Sequence, residues 1–166
     1  MKADPEATKL LPIQTIFIAD DDADDQMLFR QALQDVAPHI RLEASKDGNE
    51  LLSLLQNFKP ELLFLDLDMP SKNGLECLKT IRSNPVFSDM YIIVFSSTTR
   101  PANIAVAYEM GADLFFIKPS FYQELVQSLK TLIELDWSDQ NAINGLKLKN
   151  SPFLAKNDAA EEGIKS

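Results

Sequence analysis

The chain has 166 residues, of which 45% are hydrophobic and 25% charged, and its formal net charge is −9. This length suits one domain with a full core better than two. The acidic balance argues against a nucleic-acid-binding surface, which needs clustered lysine and arginine. No segment reaches the roughly 20 apolar residues of a membrane span, and the polar amino terminus lacks the apolar core of a signal peptide. We therefore expect a cytoplasmic protein without nucleic-acid or membrane partners.

Five strand signals, each followed by a helical pattern, indicate a series of βα units. The strand signals cover residues 16–19, 40–44, 62–65, 92–95 and 114–117, and helical periodicity follows at 28–36, 51–58, 74–82, 101–110 and 125–133. The first and third strands are continuous apolar runs, whereas the second alternates like an edge strand. The pattern predicts an α/β fold: a five-stranded doubly wound parallel sheet, flavodoxin-like, in the order 2-1-3-4-5 with helices on both faces.

The two ends of the chain are predicted to lie outside this domain. We assign residues 1–13 to an N-terminal extension, 14–136 to the domain and 137–166 to a C-terminal tail. The tail is rich in Asn, Ser, Lys, Gly and Asp and is too short to fold alone, so we expect it to be disordered. Phe153 and Leu154 are its candidates for docking onto another surface.

Polar side chains follow four of the predicted strands at their carboxyl ends. Asp20 and Asp21 follow the first strand, Asp66 the third, Ser96 the fourth and Lys118 the fifth. In an open parallel sheet these ends form one crevice, where such folds bind ligands. We interpret the neighbouring Asp24 and Asp25 as acids of the first helical turn, and Ser97, Thr98 and Thr99 as loop or N-cap residues.

Acids, a hydroxyl and a lysine in one crevice predict a site for a metal ion and a phosphoryl group. Carboxylates about 4 Å apart repel by roughly 4 kcal/mol per pair at an effective dielectric constant of 20, so a cation is expected among them. Mg²⁺ prefers oxygen ligands and leaves positions for phosphate oxygens. A carboxylate beside it can attack phosphorus and form an aspartyl phosphate, with Lys118 stabilising the charge and Ser96 reaching a phosphoryl oxygen.

The residues resemble the receiver domain of two-component response regulators over about 15–135. The resemblance rests on Asp20-Asp21, the run Asp66-Leu67-Asp68-Met69-Pro70, Ser96, and Lys118-Pro119. It implies that Asp66 is the phosphoacceptor and a Mg²⁺ ligand, that Asp21 binds the ion directly and Asp20 through water, and that Asp68 offers its backbone carbonyl. It further implies a switch in which Ser96 moves toward the phosphoryl group and Phe115 changes its position.

The implied function is that of a stand-alone, single-domain response regulator. It would accept the phosphoryl group from a sensor histidine kinase or a histidine phosphotransfer protein and signal to a downstream protein by direct contact, without being an enzyme. The resemblance leaves open whether the chain forms a homodimer.

Two alternatives stay open beside this reading. One is a relay intermediate that carries phosphate without a conformational output. The other is a Mg²⁺-dependent haloacid dehalogenase-type phosphohydrolase, whose Asp-x-Asp motif the segment Asp66-Leu67-Asp68 copies. A nucleotide-binding module is disfavoured, because no glycine lies between Asp20 and Met27 to form a phosphate loop.

Overall fold

The computed structural model describes residues 12–147 of the chain. Its strands are β1 Thr15–Ala19, β2 Arg41–Ser45, β3 Leu62–Leu65, β4 Tyr91–Ser96 and β5 Leu114–Ile117. Its helices are α1 Ala23–Val36, α2 Gly48–Asn57, α3 Gly74–Arg82, α4 Pro101–Glu109, α5 Tyr122–Glu134 and α6 Gln140–Gly145. All strand pairs are parallel, and the sheet order is β2-β1-β3-β4-β5. The predicted fold class is confirmed.

Burial explains why the strand patterns differ. Every residue of β1, β3 and β5 is buried, as expected for strands covered by helices on both faces. In β2 only Ser45 is buried, which agrees with its alternating sequence and its place at one edge of the sheet. Strand β5 forms the other edge, and there the backbone N–H of Phe115 donates to the Tyr108 hydroxyl of α4 at 3.0 Å.

Helix termini follow the signals in the sequence, with small differences. Asp22 caps α1, because one of its carboxylate oxygens accepts the N–H groups of Asp24 and Asp25. Helix α2 begins at Gly48, three residues before its first periodic leucine, since Asp47 caps it there. Gly111 follows α4 with a φ of +105°, the left-handed conformation for which glycine is suited.

The structure differs from the sequence prediction directly after α5. Trp137 is only 3% exposed, its ring lies 4.9 Å from that of Tyr91, and its indole N–H donates to the Leu132 carbonyl. Helix α6 follows, with Ile143 2% exposed. Residues 137–147 are thus packed rather than a disordered tail, because the indole and Ile143 bury apolar surface at the end of the sheet.

The other predictions for the termini are not tested. Residues 1–11 and 148–166, including Phe153 and Leu154, lie outside the described residues. The start of the domain at residue 14 and the disorder expected of residues 148–166 therefore stay predictions, whereas the packing of Trp137 and Ile143 places the boundary at residue 136 too early. Within residues 12–147, no helix has the length and apolarity needed to cross a membrane.

Candidate functional site

Three side chains are placed by hydrogen bonds that continue the sheet beyond its strands. The N–H of Asp66 donates to the Ala19 carbonyl at 2.9 Å, immediately after β3. The N–H of Lys118 donates to the Ser96 carbonyl at 2.8 Å, immediately after β5. The N–H of Asp20 donates in the same way to a β2 carbonyl. These bonds bring Asp20, Asp66 and Lys118 together at the carboxyl ends of the strands.

The Lys118 ammonium group lies among three carboxylates. Its Nζ atom is 2.8 Å from Asp20 Oδ2, 2.7 Å from Asp25 Oδ2 and 3.3 Å from Asp66 Oδ2. The geometry allows hydrogen bonds to Asp25 and Asp66, whereas Asp20 Oδ2 is buried and receives an ion pair without a hydrogen bond. Nζ also lies 5.4 Å from the centre of the Phe95 ring. One cation therefore holds three acids together.

Asp25 is a member of this site that the sequence reasoning missed. It lies in the first turn of α1, as its position in the sequence predicts, and its carboxylate is also an ion-pair partner of Lys118. Asp24 occupies the same turn and is exposed. No spacing rule separates the two acids, because only the packing of α1 beside the sheet edge decides which carboxylate reaches Lys118.

Burial sets the electrostatics of the cluster. It raises the pKa of Asp66 to about 6, although the charge of Lys118 and the N–H of Asp68 act in the opposite direction. Burial also raises the pKa of Asp20. For Lys118, burial alone would lower the pKa, but the surrounding carboxylates raise it overall, so the ammonium group stays charged. Within residues 12–147, the acids of the cluster thus outnumber the cation Lys118.

The acids also form a group that could hold a metal ion. Asp20, Asp21 and Asp66 each offer one carboxylate oxygen, and these oxygens all lie within 4.8 Å of one another. Asp20 and Asp66 are buried, whereas Asp21 is exposed. Three carboxylate oxygens this close together match the preference of Mg²⁺ for a few acidic oxygen ligands and water.

The loop after β3 is held tightly beside Asp66. The Asp68 N–H donates to Asp66 Oδ1 at 3.1 Å, and the Asp68 side chain is exposed. The N–H of Gly74 donates to the Leu67 carbonyl, and a Cβ atom at Gly74 would collide with the Asp66 carbonyl oxygen. Glycine at this position therefore lets the start of α3 approach the backbone that carries Asp66.

The two residues of the predicted switch lie on neighbouring strands. Ser96 is fully buried, and its hydroxyl oxygen accepts the N–H of Thr98 at 3.2 Å. Phe115 is 4% exposed, and its N–H donates to Tyr108, as described for β5. Thr98 lies in the loop before α4, where its hydroxyl oxygen accepts the N–H of the N-cap residue Arg100. The switch roles of Ser96 and Phe115 stay a prediction.

Comparison with known proteins matches these features to one family. The sequence model of the response regulator receiver domain family matches residues 16–130 of this chain. The phosphorylated cyanobacterial phytochrome response regulator RcpA has a TM-score of 0.70 and 26% identity, covering 76% of this chain and 95% of that one. The chemotaxis response regulator CheY4 of Vibrio cholerae has a TM-score of 0.64 and 22% identity, covering 72% and 98%.

Curated relatives agree, and they are longer proteins. The sensory transduction protein LytT of Oceanobacillus iheyensis is 34% identical over 101 residues, which are 58% of this chain and 40% of LytT. The nitrate/nitrite response regulator protein NarL of Escherichia coli K12 is 32% identical over 111 residues, which are 64% of this chain and 50% of NarL. This chain thus spans half or less of either relative. Since the family model covers most of the packed residues and the solved relatives share the fold, the chain belongs to the response regulator receiver domain family.

Proposed function

We propose that this chain accepts a phosphoryl group on Asp66 from a phosphohistidine of a sensor histidine kinase or a histidine phosphotransfer protein. The observation that carries the proposal is the position of Lys118 Nζ, 3.3 Å from Asp66 Oδ2, beside the acidic group of Asp20 and Asp21. An Asp66 oxygen would bond to phosphorus as the phosphorus–nitrogen bond breaks, and the imidazole would leave and take up a proton.

The acidic group is proposed to bind Mg²⁺. Asp21 and Asp66 would supply carboxylate oxygens, Asp68 its backbone carbonyl, and Asp20 would act through a bound water. The bound ion would neutralise acid charge and stabilise the charge on the phosphoryl oxygens. The exposed side chain of Asp68 supports this assignment over a phosphohydrolase, because its N–H, and not its carboxylate, is the group in contact with Asp66.

Lys118 and Ser96 are proposed to bind the transferred group. Lys118 already touches Asp66, so its ammonium group can pair with a phosphoryl oxygen once the Asp66 charge is used in the new bond. The Ser96 oxygen accepts a hydrogen bond from Thr98, which leaves the hydroxyl proton to be donated to phosphate. Both side chains then hold the phosphoryl group from neighbouring strand ends.

The output is proposed to run from Ser96 through Phe115 to α4. Movement of Ser96 toward the phosphoryl group would draw the loop after β4 inward and change the space available to the Phe115 ring. The Phe115 N–H is bonded to Tyr108, so a change at β5 reaches α4 directly. Shifting such an equilibrium from 1:99 to 99:1 takes about 5.5 kcal/mol. One charge-assisted hydrogen bond supplies only about 1.5–3 kcal/mol, so Lys118 and the metal must contribute as well.

Exposed apolar side chains beside the site support a protein as phosphodonor. Met27 and Leu28 of α1 are 60% and 40% exposed, and Phe121, just before α5, is 69% exposed. Leu28, Phe121 and Lys118 line the same small cavity, so the apolar surface borders the reacting groups. A partner helix carrying the phosphohistidine could bury this surface while presenting its imidazole to Asp66.

The remaining parts of the proposal, which concern output and location, rest on membership of the receiver domain family. We propose a non-enzymatic regulator that acts in the cytoplasm as a single domain and signals to a downstream protein by direct contact. A relay intermediate is the second candidate, because transfer at Asp66 alone does not require the Ser96–Phe115 change. Amide signals distinguish the two: a phosphoryl analogue should shift residues from Ser96 through Phe115 to Tyr108 in a switch, and only the site loops in a relay.

Phosphorylation itself can be tested by intact mass. We expect incubation with Mg²⁺ and a small acyl phosphate to add one phosphoryl mass to the chain, and the Asp66→Asn variant to remain unmodified. Asp24→Asn is the matched control, because Asp24 is an exposed acid close to the site that takes no part in the cluster. An adduct of unchanged yield in Asp66→Asn, or full yield in EDTA, would contradict the proposal.

A further inference from the structure

A second concave surface lies at the opposite end of the sheet from Asp66. It is a groove of about 540 Å³ formed where the chain enters β1, β3 and β4 and leaves α5. Its apolar wall includes Ile13, Ile133 and the paired rings of Tyr91 and Trp137. A groove of this size and lining can bury the apolar side chains of a short peptide.

The rim of this groove is acidic. Among the described residues that line it, Glu61, Asp89, Glu134 and Asp136 carry carboxylates and Lys59 carries an ammonium group. Lys59 pairs with Asp89 at 2.7 Å, and the charges of Glu61 and Glu134 keep the rim negative. A ligand that fits both features has an apolar centre and basic residues beside it.

A segment of the same chain has this composition. Residues 149–156, which lie beyond the described residues, contain Phe153 and Leu154 between Lys149 and Lys156 and include no acid. The N-terminal residues 1–11 also contain two leucines, but they carry Asp4 and Glu6. Charge complementarity with the rim therefore favours the C-terminal segment.

The last described residue, Lys147, lies beside α4, with its Nζ atom 4.9 Å from the centre of the Tyr108 ring. Its charge also acts to lower the pKa of Asp113, although burial raises that pKa overall. The Asp113 carboxylate accepts the N–H of Ile92, the residue next to Tyr91 on the groove wall. Phe153 follows Lys147 by six residues, which span about 20 Å when extended. Because the segment is tethered, its effective concentration at the groove is on the order of millimolar.

We propose that residues 149–156 bind in this groove of their own chain, with Phe153 and Leu154 against the Tyr91–Trp137 pair and the two lysines at the acidic rim. The surface is distinct from the phosphoacceptor site, since it lies at the amino ends of the strands.

A spin label placed just outside the segment tests the proposal in the full chain. Asn157→Cys provides the attachment point, and the native Cys77 is buried, so labelling is directed to residue 157. Trp137 is the only tryptophan, so its indole N–H gives one unambiguous NMR signal. We expect the label to remove most of the intensity of the Trp137 indole and Ile13 methyl signals.

Two sets of variants make the outcome decisive. In the labelled chain, Phe153→Ala with Leu154→Ala should restore both signals, and Lys149→Glu with Lys156→Glu should restore them as well. Signal loss that persists in either variant would reflect only the proximity of a tethered tail and would overturn the proposal.

The same NMR signals would show whether another segment or a second copy occupies the groove. In a mixture of spin-labelled chains and separately isotope-labelled chains, loss of the Trp137 signal would show that the segment binds in the groove of a second copy. If Leu10→Ala with Leu11→Ala shifts the Trp137 signal while the Phe153 and Leu154 variants do not, the N-terminal segment occupies the groove. Either result overturns the proposal.

Discussion

Replacing Asp66 by asparagine should stabilise the metal-free fold at neutral pH. The perturbation removes a buried negative charge that has Asp20 beside it, while an amide oxygen can still accept the Asp68 N–H. Burial raises the pKa of Asp66 from 3.8 to about 6. Each tenfold change in an ionisation constant is worth about 1.4 kcal/mol, so keeping Asp66 ionised in the fold costs about 3 kcal/mol.

The free energy of unfolding depends on pH because the pKa of Asp66 is higher in the folded state than in the unfolded state. Between pH 4 and 6 the folded state binds a proton at Asp66 that the unfolded chain does not, so stability falls as the pH rises through this interval. Above pH 6 the cost is fully present, and at pH 4.5 roughly a third of it remains. Since this pKa already includes the attraction of Lys118, we expect Asp66→Asn to gain about 1–3 kcal/mol at pH 7.5, and the gain should fade toward pH 4.5.

Urea unfolding in EDTA, followed by Trp137 fluorescence, measures the effect. Wild type, Asp66→Asn and the control Asp24→Asn should be compared at pH 7.5 and pH 4.5, and only Asp66→Asn should gain stability at the higher pH. Saturating Mg²⁺ should raise the stability of the wild type more than that of the variant. Equal or lower stability of Asp66→Asn at pH 7.5 would refute the reasoning.

Three further predictions concern other parts of the fold. Arg82→Ala should lower the free energy of unfolding by about 3–5 kcal/mol in urea, because it removes the ion pair with Asp113 and three hydrogen bonds from the guanidinium group to backbone carbonyls. The control Arg41→Ala breaks an exposed pair and should cost less than about 1 kcal/mol. Trp137→Ala should cost about 3–5 kcal/mol by calorimetry, and a cost near zero would show that the residues after α5 do not pack on the core. Mg²⁺ affinity, measured by titration calorimetry, should be constant above pH 7 and weaken below pH 6 as Asp66 binds a proton, and a flat profile would contradict its role as a ligand.

The fold and the centre of the site could be predicted because their signals are local. Apolar runs mark buried strands, and polar residues at the ends of parallel strands must meet, which is how Asp66 and Lys118 come together. The contact of Asp25 with Lys118 depends on the position of α1 relative to the sheet, which no local pattern encodes. The packing of Trp137 was missed for a related reason, since one aromatic residue among polar ones has no periodicity.

The hydroxyl of Tyr108 has a consequence for association at the open side of the sheet. An edge strand presents backbone donors and acceptors to which a strand of another chain can add. In β5, which has only four residues, the donor of Phe115 is already bonded to this hydroxyl. An incoming strand would have to break that bond before pairing, so a side chain of α4 protects this edge against strand addition and the aggregation that can follow from it.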